Sequence, residues 1–206
     1  MNSQILVVDF GSQVTKLIAR RVRENGVYCE IEPFQKINEN FLKSRNFKGF
    51  ILSGSPCSVD DSNYPKLKRK FFEKKVPILG ICYGAQLITK ILGGKVESCK
   101  KREFGLANLK KTKNSKLIDS INFEKSNSKV WMSLSDSILQ LPSDFESVAS
   151  TDNSTNAIIQ NKKSNIYGIQ FHPEVTHTKK GKLILSNFNI AHVASLCFTS
   201  QLNLVE

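Results

Sequence analysis

A cysteine lies between two glycines in the stretch Gly80-Ile81-Cys82-Tyr83-Gly84, directly after the apolar run Val76-Pro77-Ile78-Leu79. A strand, a sharp turn and a helix in this order form the cysteine version of a nucleophile elbow. The start of the helix and the Tyr83 N–H would lie beside the sulfur, where they favour a thiolate and a developing oxyanion. A buried structural cysteine beside a glycine turn gives the same pattern, so the motif alone leaves both interpretations open.

A thiol nucleophile needs a base, and the chain has three histidines. His172 follows a predicted strand, and Glu174 lies two residues further on, where an extended segment projects both side chains to one side. The glutamate can then orient the imidazole, which gives a Cys82–His172–Glu174 triad. His177 has no such partner in the sequence, and His192 falls in a predicted terminal helix. The elbow and the His–Glu pair together favour catalysis over a structural role.

Apolar runs alternate with amphipathic segments in the first half, which is typical of a parallel sheet with helices on both faces. The predicted strands there are Ile5–Val8, Val27–Ile31, Gly49–Leu52 and Val76–Ile81, and the predicted helices are 14–24, 65–74 and 84–92. The second half is richer in strands, predicted at 106–109, 129–132, 146–150, 157–160 and 166–171, before a helix over 180–192. We therefore expect an α/β fold with an open, mostly parallel, flavodoxin-like sheet and a strand-rich second half. Residues 1–192 would form one domain, and 193–206 a C-terminal tail.

The composition is that of a globular protein, because 40% of the 206 residues are hydrophobic and the mean hydropathy is −0.25. No apolar run approaches the roughly 20 residues of a membrane span, and the N-terminus does not look like a signal peptide. The five scattered cysteines form no C-x-x-C pair and no zinc-type cluster, so neither disulfides nor a metal site is indicated. These features predict a cytoplasmic protein without membrane contact.

The net charge of +12 raises the question of nucleic-acid binding. The lysines are dispersed, however, and the basic runs lack interleaved aromatic residues. Lys, Asn and Ile are also abundant together, as A/T-rich codon usage would produce. A solvated basic surface is therefore favoured over nucleic-acid binding. A docking face for an acidic partner stays open.

Six segments resemble class I (triad) glutamine amidotransferases, most closely the glutaminase component of GMP synthases. They are ILVVDFGSQVTKLIARRVRENGVYCEI, GFILSGSP, GICYGAQLITKILGG, REFG, VWMSLSD and YGIQFHPEVTHTKKG, and together they span nearly the whole chain. The elbow and His-Pro-Glu occur in all triad amidotransferases. The DFGSQ segment, with the GVYCEI that follows it, and HPEVTHT point to GMP synthases rather than to anthranilate, carbamoyl-phosphate or CTP synthases.

The resemblance implies that Cys82 attacks the carboxamide of glutamine while His172, held by Glu174, moves the protons. It also implies an oxyanion and glutamine pocket at Gly54, Ser55, Tyr83, Gln86, Ser133, Leu134 and Ser135. The ammonia would pass to an ATP-pyrophosphatase synthetase domain or subunit that converts XMP to GMP with ATP and Mg²⁺, whereas this chain would need no cofactor. The Ser-Gly-Gly-x-Asp-Ser phosphate loop of such a synthetase does not occur in these 206 residues. A separate subunit, an isolated domain and a remnant without its synthetase all fit the sequence.

The expected pocket departs from the family pattern at three places. Ser55 replaces a glycine before the loop proline, Leu134-Ser135 replaces His-Gly, and Ala85 replaces a common methionine. A serine at a position that needs positive φ would cost about 1 kcal/mol or more. Two alternatives to the glutaminase therefore stay open. One is a cysteine hydrolase on the same fold, such as a peptidase or γ-glutamyl hydrolase, and the other is a catalytically weakened binding or regulatory module.

Overall fold

The computed structural model describes residues 5–119, 121–123 and 128–189. The strands within these residues are β1 (Ile5–Asp9), β2 (Cys29–Pro33), β3 (Gly49–Leu52), β4 (Ile78–Ile81), β5 (Lys95–Asn108), β6 (Lys110–Lys111), β7 (Lys129–Gln140), β8 (Glu146–Ser150), β9 (Ile158–Asn161) and β10 (Ile166–Ile169). The α-helices are α1 (Thr15–Glu24), α2 (Glu39–Lys43), α3 (Tyr83–Ile91) and α4 (Gly181–Phe188). Short 3₁₀ turns occupy Phe34–Lys36, Arg69–Glu73 and Lys116–Ile118.

The main sheet has eight strands in the order β2-β1-β3-β4-β10-β9-β8-β6. The first five run parallel, and β9, β8 and β6 continue the sheet in antiparallel pairs. Strands β5 and β7 pair with each other in a separate two-stranded sheet. The expected α/β fold with a mostly parallel sheet and a strand-rich second half is therefore confirmed.

Both faces of the main sheet are apolar, and strand β1 shows why. Ile5 and Val7 enter one hydrophobic cluster, whereas Leu6 and Val8 enter another, because successive side chains point to opposite faces. Helices α1 and α4 cover the first face, and α3 covers the second. The carboxyl ends of β1, β3, β4 and β10 meet at one edge, which is where parallel sheets of this kind place their ligand sites.

The prediction of a helix over residues 65–74 is wrong, because the chain there forms only the 3₁₀ turn Arg69–Glu73. Phe71 and Phe72 are buried, as the apolar pattern suggested. Lys66, however, would face Arg69 and Lys70 at the i+3 and i+4 positions of an α-helix, and like charges at that spacing are destabilising.

The strands predicted at 106–109 and 129–132 are much too short, because β5 has 14 residues and β7 has 12. Strand β7 alternates strictly, with Val130, Met132 and Leu134 buried and serines on the outer side. The serines concealed this alternation in the sequence. Strand β5 also contains Gly105 at φ +99°, which suggests a turn but occurs within the strand.

The remaining boundaries moved by no more than two residues at either end, and α2 was not predicted. The connection at residues 161–165 is confirmed, since Asn161 caps the turn and Asn165 adopts φ +55°. Helix α4 ends at Phe188, and the predicted helix end at His192 lies outside the described residues. None of the helices in the described part of the chain has the length and apolarity needed to cross a membrane.

Candidate active site

Cys82 is the residue that makes the elbow sharp, since its backbone adopts φ 51° and ψ −107°. The flanking glycines do not have positive φ, and their role is close packing. A Cβ on Gly84 would lie 2.5 Å from the carbonyl oxygen of Leu52, and a Cβ on Gly80 would lie 2.5 Å from the carbonyl carbon of Gly84. The glycines therefore let α3 begin in direct contact with β3 and β4, and Cys82 itself carries the positive φ.

The elbow is held between β10 and β7. The Cys82 N–H donates to the carbonyl of Ile169 at 2.7 Å, and the Gln170 side-chain amide donates to the Cys82 carbonyl at 3.4 Å. The thiol is only partly buried, and its Sγ lies 3.7 Å from the carbonyl oxygen of Ser133 on β7. The sulfur therefore points out of the sheet edge toward β7.

The His172 and Glu174 side chains meet as the sequence predicted, with Nδ1 2.7 Å from Oε1. The Glu174 side chain is completely buried, and its Oε2 has no hydrogen-bond partner among the described residues. A buried carboxylate needs a compensating positive charge. The His172 ring is the group that supplies it.

The protonation of His172 follows from opposing effects. Burial lowers the pKa of its imidazole, whereas hydrogen bonds with Cys82 and Glu174 and their negative charges raise it, and the result is a pKa of about 10. Nδ1 is used by Glu174, so Nε2 is the nitrogen available to Cys82. The geometry therefore favours an imidazolium between a sulfur and a carboxylate.

Helices α1 and α4 hold the His-Pro-Glu segment from outside. The Arg21 guanidinium of α1 donates through Nε to the backbone carbonyl of Glu174 at 3.1 Å. The first residue of α4, Gly181, lies so close that a Cβ there would be 1.9 Å from the carbonyl oxygen of Pro173. Helix α4 therefore packs directly on the backbone next to the base.

The loop after β3 lies against the base. A Cβ on Gly54 would be 3.7 Å from Cε1 of His172 and 3.4 Å from Oγ of Ser12. Ser53 is completely buried, and its hydroxyl accepts from the Phe10 N–H at 3.0 Å and donates to the Gly54 carbonyl at 2.8 Å. The chain leaving β1 therefore fixes the expected oxyanion loop beside His172.

The two serines that replace family glycines are not strained. In the described part of the chain, Cys82 and Asn165 are the non-glycine residues with positive φ, so Ser55 and Ser135 lie in ordinary regions. The Ser55 hydroxyl accepts from the Cys57 N–H at 3.2 Å. The backbone strain expected for a serine with positive φ is therefore absent at both positions.

Two predicted pocket residues have side chains engaged elsewhere. Gln86 is buried, and its amide nitrogen donates to the carbonyl of Asp136 at 3.0 Å, which ties α3 to β7. The Tyr83 ring is buried, and its hydroxyl donates to the carbonyl of Pro65. Burial raises the pKa of this phenol. What remains near the sulfur is the Tyr83 N–H, because the first N–H groups of a helix have no partner inside it.

Neighbouring side chains of β7 point to opposite faces of the strand. Leu134 is buried in the core, whereas Ser135 is exposed on the outer side of the strand. The structure therefore brings together Cys82, His172 and Glu174, with Gly54 and the Ser133 carbonyl beside them. For Leu134, whose side chain is buried, the backbone is the part that can face a ligand.

Sequence reasoning missed the residues that support this group. Arg21, Gln170 and Thr178 each bond to the backbone of a predicted triad residue. All three lie inside segments on which the family resemblance depends, ARRVRE, YGIQF and HPEVTHT. That placement was the available signal. Within the described residues, no cluster of three or more His, Cys, Asp or Glu side chains could hold a metal ion.

Known proteins resemble this chain over most of its length. The sequence profile of class-I glutamine amidotransferases matches residues 6–191. A GMP synthase [glutamine-hydrolyzing] of Phenylobacterium zucineum is 49% identical over 187 residues, which are 91% of this chain and 36% of that protein. One from Brachyspira hyodysenteriae is 50% identical over 185 residues, or 90% of this chain and 35% of that protein. The chain thus spans about a third of the length of these relatives.

Two solved structures share the fold. A Thermoplasma acidophilum protein, assigned as one of the subunits of a GMP synthase, is 30% identical and has a TM-score of 0.79, with 98% of each chain covered. A glutamine amidotransferase of Thermotoga maritima, 19% identical, has a TM-score of 0.72 over 91% of this chain and 96% of its own. The profile match over residues 6–191 shows that the chain belongs to the class-I glutamine amidotransferase family.

Proposed function

We propose that this chain hydrolyses glutamine, with Cys82 as nucleophile, His172 as acid and base, and Glu174 as the group that orients the imidazole. The observation that carries the proposal is the position of His172. Its ring joins the sulfur of a strained elbow to a completely buried carboxylate. A cysteine and a glutamate kept only for packing would not need this arrangement.

The first step is attack of the Cys82 thiolate on the side-chain carbonyl carbon of glutamine, which places negative charge on the carbonyl oxygen. The Tyr83 N–H and the N–H groups of the loop at Gly54 and Ser55 are the candidate donors for that oxygen. Each such donor contributes about 10²–10³ in rate. The start of α3 adds a favourable partial charge at the same place.

The second step expels ammonia as the tetrahedral intermediate collapses to a γ-glutamyl thioester. The His172 imidazolium gives its proton to the leaving nitrogen, and the neutral ring then takes a proton from water. That water attacks the thioester, releases glutamate and restores the thiol. Glu174 orients the imidazole and stabilises its protonated form in each half of the cycle.

The rest of the glutamine pocket is assigned by position. The Ser133 carbonyl lies 3.7 Å from the Cys82 sulfur, and we propose that the backbone of Ser133, Leu134 and Ser135 binds the amino-acid end of glutamine. Gln86 would support this wall indirectly, because its side chain ties α3 to β7.

The destination of the ammonia is inferred from the relatives. They are named GMP synthase, and about two thirds of their length lies outside the region matched here. We therefore propose that this chain acts in the cytoplasm with an ATP-pyrophosphatase synthetase domain or subunit, which uses ATP and Mg²⁺ to convert XMP to GMP with this ammonia.

The test of the glutaminase is ammonia release from glutamine by the purified chain. Cys82→Ala and His172→Ala should each lower kcat by about 10³-fold or more, since each removes a group that acts in the reaction. The matched control is Cys57→Ala, which removes an exposed thiol and should leave kcat unchanged. Ammonia release at the parent rate by Cys82→Ala would refute the mechanism.

The destination is tested in a chimera, in which this chain replaces the matching 185-residue region of the Brachyspira hyodysenteriae relative. The chimera should make GMP from XMP with either glutamine or ammonium. Cys82→Ala should abolish the glutamine-dependent reaction and spare the ammonium-dependent one. Loss of both would show that the chain does not act only as the ammonia source.

A further inference from the structure

Thr178 joins two backbone groups of the candidate site through its side chain. Its hydroxyl donates to the carbonyl of His172 at 2.6 Å and accepts from the N–H of Trp131 at 3.0 Å. The residue is only 5% exposed. A threonine hydroxyl has one proton to donate and lone pairs to accept with, so both capacities are used here.

The geometry around Trp131 and His172 explains what this hydroxyl replaces. Opposed residues of a hydrogen-bonded antiparallel pair exchange two direct N–H···O bonds. Here the His172 N–H bonds directly to the Trp131 carbonyl at 3.0 Å, next to the bridge between Met132 and Phe171. The second donor and acceptor meet only through Thr178. The Thr178 hydroxyl therefore bridges the Trp131 N–H and the His172 carbonyl, which do not bond to each other directly.

The same part of β7 also contacts the nucleophile. The Ser133 carbonyl, two residues beyond Trp131, lies 3.7 Å from the Cys82 sulfur. The positions of His172 and Cys82 are therefore both set relative to residues 131–133 of one strand. An error in the spacing between His172 and this strand becomes an error in the spacing between base and nucleophile.

From this geometry we infer that Thr178 is a positioning residue, whose hydroxyl holds the His172 backbone at the distance from β7 that lets the imidazole reach the Cys82 sulfur. The inference rests on the triad roles proposed above. Misplacement of a reacting group by about 1 Å costs on the order of 10²-fold in rate. Thr178 itself touches neither the sulfur nor the imidazole, so glutamine binding should depend on it much less than turnover does.

The main test is Thr178→Val, which keeps the shape of the side chain and removes the hydroxyl. Its kcat for glutamine hydrolysis should fall about 10- to 100-fold, with KM within about threefold of the parent. Thr178→Ser keeps the hydroxyl and should restore kcat to within about threefold. Thr178→Ala leaves room for a water to link the two backbone groups, so its kcat should lie between those of the serine and valine variants.

A second readout does not depend on glutamine. Alkylation of Cys82 by iodoacetamide, followed by mass spectrometry over a range of pH, reports the contact of the thiol with His172. Thr178→Val should shift this profile. The matched control is Thr89→Val, which removes an equally buried hydroxyl that bonds to Ala85 within α3. This control should leave the alkylation profile, kcat and KM unchanged.

The outcomes separate the two proposals. If kcat across these variants follows the melting temperature, or if Thr178→Ser is as slow as Thr178→Val, Thr178 has only a structural role and the inference is overturned. If the parent releases no ammonia, the glutaminase proposal fails, and the alkylation profiles alone then decide the role of Thr178. If Thr178→Val does not fold, the comparison of the serine and alanine variants with the control decides it.

Discussion

The proposed nucleophile and the proposed base are held in place by different kinds of contact. Cys82 is held by close packing of backbone on backbone. At Gly80 and Gly84, helix α3 contacts strands β3 and β4 directly, with no space for a side chain. His172 is held by hydrogen bonds with β7 and Glu174, and Arg21 bonds to the segment that carries it. Close packing allows no adjustment, whereas hydrogen bonds can lengthen slightly or be replaced by water. The hydrogen bonds around His172 should therefore tolerate a substitution that keeps the bonding group, whereas Gly80 and Gly84 should tolerate no added side chain.

The largest expected effect is that of Gly84→Ala on the nucleophile side. The added methyl would lie 2.5 Å from the carbonyl oxygen of Leu52, which belongs to a strand paired on both sides in the sheet. The free energy of unfolding should fall by about 3 kcal/mol, with loss of glutaminase activity, as measured by urea denaturation and ammonia release. Gly26→Ala is the control, since it has positive φ but no atom within 4 Å, and it should cost about 1 kcal/mol. If Gly84→Ala and Gly26→Ala lower the free energy of unfolding equally, close packing at Gly84 makes no special contribution to stability.

A smaller effect of opposite sign is expected at Cys82 itself. Glycine adopts φ 51° and ψ −107° without strain, whereas cysteine and alanine do not. Cys82→Gly should therefore unfold with a free energy about 1–2 kcal/mol higher than that of Cys82→Ala, while both are inactive. Calorimetry or urea denaturation of the two variants measures this difference. If Cys82→Ala is the more stable, the elbow holds no strain.

The pH dependence of stability tests the base side. The folded-state pKa of His172, about 10, lies above the value of about 6.5 for an unfolded histidine. Its contribution to stability is therefore fully present below about pH 6.5 and is lost as the pH rises toward 10. The melting temperature of the parent should decline over this interval more steeply than that of His172→Gln. Parallel declines would show that His172 gains no partner on folding.

The smallest effect is expected for Ser55→Gly, which restores the family residue. Because Ser55 lies outside the positive-φ region, a glycine relieves no strain there. Turnover and stability should both stay close to those of the parent, with kcat within about threefold. A rise in kcat of tenfold or more would mean that the serine side chain, rather than backbone strain, weakens the loop.

The parallel sheet, the sharp turn at Cys82 and the contact of His172 with Glu174 could be predicted because they are encoded locally, whereas the catalytic triad stays a prediction. The elbow and His-Pro-Glu each lie within a few residues, and the apolar runs have a clear period. The sequence did not show where the side chains of Tyr83 and Gln86 lie, because adjacency to the elbow does not tell where a helical side chain points. Arg21 was missed because its partner Glu174 is 153 residues away. Thr178 is six residues from His172, but its other partner, Trp131, is 47 residues away, so its bridging role was not visible in the sequence. Such contacts depend on the assembled fold.

The positive φ of Cys82 also has an evolutionary consequence. Every cysteine codon becomes a glycine codon by one base change, so a single mutation reaches the variant that this backbone accommodates best. In a lineage that no longer needed the reaction, selection for folding alone would favour that mutation. We therefore expect members of the family that keep the reaction to keep cysteine at this position, and inactive descendants to carry glycine there.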